Sequence, residues 1–127
     1  MKGAALALVT LRAGLVAGLA AGPAGCGEPK KSPAEARKQA EQVWQLRCTT
    51  CHGVDGDGNG PQARHLAVKP RALRDPSWQA SVSDEHLRTV IVEGGQAVGK
   101  SPVMAANPDL RKHPEVVDAL VQIVRGL

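Results

Sequence analysis

The sequence predicts an all-α fold, with three main helices joined by short helical turns and loops. Three segments, beginning after Ser32, Ser83 and His113, carry apolar residues at helical spacing behind a capping or proline signal. No alternating strand of useful length occurs: Ser81-Val82-Ser83 and Val90-Ile91-Val92 are short and fit a helix better. The chain has 14 Gly and 9 Pro among 127 residues, which favours loops over sheets. Trp44 and Trp78 stand alone, with no Phe and no Tyr. A single domain of this size has a small core, and one so poor in aromatic side chains needs a large apolar body from another source.

Residues 1–25 read as an export signal. Lys2 opens a short basic region, Arg12 interrupts it, and Ala13 to Ala24 is small and apolar. That run is too short for a membrane span of about 20 residues, although Gly3 to Ala24 would serve as an uncleaved anchor if Arg12 were tolerated. Cys26 is the odd cysteine of the three. Pro23-Ala24-Gly25-Cys26 resembles a bacterial lipobox, with Pro23 where Leu is usual. It predicts lipidation at Cys26, against a free cysteine or ordinary cleavage after Ala24. Residues 26–32 then form a polar tether ending in Glu28-Pro29-Lys30-Lys31-Ser32, and residues 33–127 form the folded domain.

Ser32-Pro33-Ala34-Glu35 has the form of a capping box with Pro at the first helical position. Ala36, Ala40, Val43, Trp44 and Arg47 follow on helical spacing, so this helix runs straight into Cys48 with Trp44 on its core face. Gln62 to Val68 fits a short helix, and Lys69 to Trp78, with two prolines, reads as loop. Ser83-Asp84-Glu85 caps the next helix, whose Leu87, Val90 and Ile91 share a face and which Gly94 stops. Gly94 to Asn107 is a loop carrying Met104, and Pro108 to Lys112 fits a turn. The last helix opens at His113-Pro114-Glu115, lays Val117, Leu120, Val121 and Val124 on one stripe, and places Arg125 at the favourable end of the helix dipole.

Cys48-Thr49-Thr50-Cys51-His52 is C-x-x-C-H, the attachment signature of c-type haem. Two cysteines three positions apart can face two vinyl edges of one porphyrin, and the next residue, His52, is then held close to the iron. A thioredoxin-like pair would need a strand–helix–strand setting, and a structural zinc would need a further Cys or His pair; the sequence offers neither. Haem also supplies the missing apolar body, so the haem-free chain is expected to be largely unfolded. The run from Asp55 to Gly60 imitates the start of an EF-hand loop, but Leu66 stands where the bidentate Glu belongs. Its glycines more simply permit a tight turn near the haem edge.

Met104 is the one methionine outside the leader, on a loop with Pro102 two residues before it. A thioether is a soft ligand suited to haem iron, and core filling is the alternative. His65, His86 and His113 are the competing ligands; His86 and His113 fit helix starts, which leaves His65 in reserve.

Together these residues resemble a small bacterial class I c-type cytochrome, with one His/Met-ligated haem and a lipoprotein-like leader. The resemblance runs from about Glu35 to the end and rests on CTTCHG, the Gly-Pro run that follows, GGQAVGKSPVM and the closing DALVQIVRGL. It implies the cytochrome c fold wrapped around one covalent haem c, with Cys48 and Cys51 as thioether residues and His52 and Met104 as iron ligands. It further implies that the Pro61 carbonyl accepts the second N–H of His52, that Arg71 and Trp78 meet a haem propionate, and that the first and last helices pack together. Ile123 stands where the family usually has an aromatic, and Ala105 where it often has proline after the methionine.

The implied function is one-electron transfer as a shuttle between redox proteins, exported and held at the outer face of a membrane. The alternatives are a cytochrome subunit of a larger respiratory or dehydrogenase complex, and a haem enzyme or sensor with an open axial site. No phosphate loop or catalytic triad points to another enzyme, which makes the chain an electron carrier. The net charge of +4 falls to +2 without Lys2 and Arg12 of the leader, and no basic stripe interleaves with aromatics to stack bases, so nucleic acid is not an expected partner. One basic cluster remains: Arg64, His65, Lys69, Arg71 and Arg74. It reads either as a solvated loop or as a docking or propionate-facing patch.

Overall fold

The computed structural model describes residues 29–127, so the leader and Cys26 lie outside the described residues. Within them the chain is helical and contains no strand. Helix α1 (Pro33–Val43) begins as expected: the Ser32 side chain accepts from the Glu35 N–H, and the Glu35 carboxylate accepts from the Ser32 N–H, a complete capping box with Pro33 in the first turn. The helix does not run on unchanged to the motif. A π-turn (Trp44–Cys48) follows, and then the short α2 (Thr49–His52), which Gly53 ends.

A 3-10 turn (Ala63–His65) is all the helix that forms between Gln62 and Val68. Helix α3 (Pro76–Ser81) occupies part of the segment expected to be loop. The reason lies in where the prolines fall. Pro76 sits in the first turn, where its missing N–H costs nothing, and the Asp75 carboxylate accepts from the Ser77 and Trp78 N–H groups. Helix α4 (Asp84–Glu93) is capped by Ser83 and stopped by Gly94 at φ +80°. Two further 3-10 turns, Gly95–Val98 and Pro108–Lys112, flank the Met104 loop, and α5 (Pro114–Arg125) closes the chain. None of the described helices is long and apolar enough to cross a membrane.

The core follows from the helical stripes. Ala36 and Ala40 on α1 are fully buried, and their small side chains let α1 lie close along α5, its main packing partner. Val116, Leu120 and Val121 of α5 are buried there, with Trp44 and Leu87 in the same cluster. Ile123 packs against this cluster, so an aliphatic side chain does fill the position usually held by an aromatic.

Arg125 does more than favour a helix dipole. Its guanidinium donates to the Asp84 carboxylate at 2.8 Å, to the Gln79 carbonyl and side chain at 2.7 and 2.8 Å, and to the Val82 carbonyl at 2.7 Å. Gln79 in turn donates to the Leu73 and Val124 carbonyls at 2.7 and 2.8 Å. One side chain thus joins the end of α5 to α3 and to the start of α4. Replacing it strands several acceptors at once, so Arg125→Ala should lower the stability of the haem-loaded protein by about 2–3 kcal/mol in denaturant unfolding. A loss under half a kcal/mol would show that water replaces the guanidinium.

Candidate haem site

The two threonines between the cysteines steady the motif helix. Thr49 Oγ1 donates to the Gln45 carbonyl at 2.8 Å, and Thr50 Oγ1 donates to the Arg47 carbonyl at 3.2 Å. Cys48 and Cys51 are free, half-buried thiols one helical turn apart. Burial pushes the Cys48 thiol up to about 11, against the opposing pull of Arg47.

After His52 the chain turns back over the helix it has just left. Gly58, Gly60 and Gln62 donate their N–H groups to the His52, Cys51 and Thr50 carbonyls at 2.8, 3.1 and 2.8 Å. The carbonyls that α2 leaves open at its end are thereby satisfied by the following loop. A side chain at Gly60 would run into the Thr49 and Thr50 carbonyls, which is why glycine stands there. Asp57 accepts from the Asn59 N–H and side-chain amide at 2.9 Å each, so its carboxylate is employed within the turn. No group of three or more His, Cys, Asp or Glu side chains among the described residues is placed to hold a metal ion.

His52 Nδ1 lies 3.0 Å from the Arg71 carbonyl. A carbonyl oxygen only accepts, so Nδ1 must carry a proton, and in the neutral ring Nε2 then carries the lone pair. Burial lowers the pKa of the imidazole, and the Arg71 carbonyl pulls the other way. The neutral ring is therefore favoured, oriented, and in that form provided with one free nitrogen, which is what metal binding requires. The acceptor is not Pro61, as the resemblance implied. Pro61 is exposed in the turn that carries Gly60 and Gln62 back to α2, and it is the segment after the second proline, Pro70, that reaches the imidazole. The Arg71 side chain itself points into solvent, and Trp78 is half-buried against the core on α3.

Met104 is half-buried on a loop tied to the end of α4. Its carbonyl accepts from the Gly95 N–H at 2.9 Å, and the Asn107 N–H donates to the Val92 carbonyl at 2.9 Å. The Asn107 side chain donates to the Ile91 carbonyl at 2.7 Å. A Cβ on Gly94 would stand 2.8 Å from both the Met104 carbonyl and the Ala106 nitrogen, at a backbone φ of +80°. Gly94 therefore ends α4 and also lets the loop close down on it. His65 is exposed beside Arg64, which donates to it at 3.1 Å. His86 lies in the first turn of α4, and His113 stands 3.0 Å from the Lys31 ammonium.

The residues present fit a haem. Two thiols at the right spacing, an oriented imidazole and a thioether on a pinned loop supply its donor set. Half-buried Trp78, Val82, Ile91 and Val92 lie against the core and keep part of their apolar surface open. When bound, haem supplies an iron that changes oxidation state by one electron. Cys48 and Cys51 would hold it covalently, and His52 would bind its iron.

A family model described as Cytochrome c matches residues 37–124. The solved structure of KustC0563, a c-type cytochrome, is similar at 36% identity with a TM-score of 0.52, covering 68% of this chain and 94% of that one. No curated protein matches. Gly94→Ala should weaken the attachment of the loop to the end of α4 and cost about 2 kcal/mol of stability in denaturant unfolding; an unchanged midpoint would show that the loop closes without Gly94.

Proposed function

The chain belongs to the cytochrome c family, whose members transfer electrons through covalently bound haem, and on that premise we propose that it is a monohaem shuttle with His52 and Met104 as axial ligands. The observation that carries this reading is the pairing of an imidazole whose tautomer is fixed by the Arg71 carbonyl with a methionine loop fastened to Gly95. Two ligands close the iron to substrates and leave electron transfer as its chemistry. His/Met ligation favours a raised potential. Arg71, whose carbonyl meets His52, and Trp78 remain our candidates for a propionate contact. A redox-titrated absorption spectrum should show one haem per chain, low-spin in both oxidation states, with the sulfur-to-iron band in the ferric form. High-spin iron at neutral pH would instead favour an enzyme or sensor with an open site.

We place the domain outside the cytoplasmic membrane, exported by residues 1–25 and held by a lipid on Cys26. The intact mass of protein extracted from membranes should carry that lipid; an unmodified Cys26 sinks the anchor and leaves a periplasmic carrier. Recovery as a small monodisperse species favours the shuttle over a fixed subunit of a respiratory or dehydrogenase complex.

Residues 58–74 support a docking role. They hold Arg64, His65, Lys69, Arg71 and Arg74, all exposed, and no acid. Arg37, Arg47, Arg88, Arg111 and Arg125 elsewhere are paired with carboxylates. Val68, 67% exposed, sits within the basic segment, and the Arg71 carbonyl joins that segment to His52. This face suits a redox partner with an acidic surface. Lys69→Glu with Arg64→Glu should slow electron exchange with ferricyanide at low salt by about tenfold, with the difference vanishing at high salt. Equal rates at low salt would return the cluster to a merely solvated loop.

A further inference from the structure

The residue before the first motif cysteine makes a contact whose reach the sequence does not reveal. Arg47 Nη1 donates to Asn107 Oδ1 at 3.0 Å. The same guanidinium grips Asp109 with both ends, Nη1 to Oδ1 and Nη2 to Oδ2, each at 3.0 Å. Asn107 lies three positions after Met104, and its amide and backbone N–H bond to the Ile91 and Val92 carbonyls at 2.7 and 2.9 Å. The haem-attachment helix, the far side of the Met104 loop and the last turn of α4 therefore meet at one side chain. The near side of the same loop is fastened separately, at Gly95.

We propose that Arg47, Asn107 and Asp109 act as a positioning clamp that seats the Met104 loop against the haem-attachment helix and so opposes loss of Met104 from the iron. The proposal rests on Met104 being the distal ligand. Its physical case starts from the loop's sequence. Met104 is followed by Ala105 and Ala106, both exposed and neither restricting the backbone as proline would. Stiffness has to come from outside the segment. A bidentate Arg–carboxylate pair has fixed geometry as well as energy, and Asn107 passes that geometry to the main chain next to the ligand. Arg47 and Asp109 are 45% and 53% exposed in their side chains, so the pair adds little to global stability. Its effect is local: it raises the cost of swinging the loop away while leaving the fold itself almost as stable.

That separation makes the clamp testable. Cyanide binds ferric haem only when the distal ligand leaves, so its apparent affinity for the haem-loaded protein reports loop opening. Arg47→Ala, Asp109→Asn and Asn107→Ala should each raise that affinity about threefold to tenfold, the size of one or two hydrogen bonds. The Arg47→Ala/Asn107→Ala double variant should gain less than the product of its parents, because both act through one contact. Denaturant midpoints of the Arg47 and Asp109 variants should stay near that of the unaltered protein. Asp118→Asn is the control, because Arg88 donates to Asp118 at 2.7 Å in an equally exposed pair on α4 and α5; it should leave cyanide affinity unchanged. If Asn107→Ala fails to fold, the two exposed variants decide alone. Unchanged cyanide affinity in them, or an equal rise in Asp118→Asn, overturns the clamp while the sulfur-to-iron band of the unaltered protein upholds Met104 as ligand. Absence of that band from the unaltered protein overturns the ligand assignment and the clamp with it.

Discussion

An imidazole that binds a metal must surrender one nitrogen to the metal and present the other to something that fixes the ring. In this chain the fixing group is the Arg71 carbonyl, 3.0 Å from His52 Nδ1. Much else is arranged so that this carbonyl arrives. The loop after His52 folds back on α2 through three main-chain bonds. The Arg74 N–H donates to the Gly56 carbonyl at 3.2 Å, and the bare face of Gly58 admits the Pro70 carbonyl. Each of these contacts anchors residues 70–74 over the motif. The hydrogen bond also selects the Nδ1–H tautomer of a half-buried ring whose charged form is disfavoured by burial.

The Met104 loop, the distal side in our proposal, is built on different physics. The proximal side consists of main-chain bonds within a compact turn, reinforced by the two thioether links that the motif specifies. The Met104 loop has no covalent tie and few main-chain bonds of its own. It depends on Gly94, where no side chain fits, and on a polar contact from Arg47 across to Asn107 and Asp109. The first is a close approach that excludes alternatives sterically. The second is exposed to solvent and adjustable. Arg47 precedes Cys48 directly, so any displacement of the motif helix is transmitted to the loop through a planar, two-pronged contact.

The main helices were legible in the sequence because their signals are local. Ser32 and Glu35, Ser83, Gly94 and Pro114 mark boundaries by chemistry that acts within one turn, and the buried stripe of α5 follows from spacing alone. Helix α3 was missed because proline means opposite things at different positions: Pro70 lies in extended chain, whereas Pro76 follows an Asp75 cap and begins a helix. The motif residues were legible for the same local reason. The partner of His52 was not, because every residue carries a carbonyl and no side chain betrays which one the fold will deliver. Lys69-Pro70-Arg71 held a usable hint, a second proline at the end of a loop, but Pro61 stood closer to the motif and drew the assignment. Arg47 was read as one more position on a helix. Its partners lie about sixty residues further on, and nothing in a local pattern reports such a meeting.

The contrast between the two sides has a consequence for what tunes the iron. A ligand held by covalent links and buried main-chain bonds responds little to surface change, since moving it means breaking the turn that satisfies α2. A ligand held by a loop with an exposed polar tie responds to every group that touches that tie. On the proposed His52/Met104 ligation, variation in axial-ligand strength is therefore concentrated on the residues around Met104, and on Arg47, which adjoins the motif by sequence and the Met104 loop by contact. Ala105 after the methionine, where the resemblance leads one to expect proline, fits the same logic. A loop without that intrinsic restraint leaves control of its position to a contact that side-chain chemistry can strengthen or loosen without disturbing the α1–α5 core.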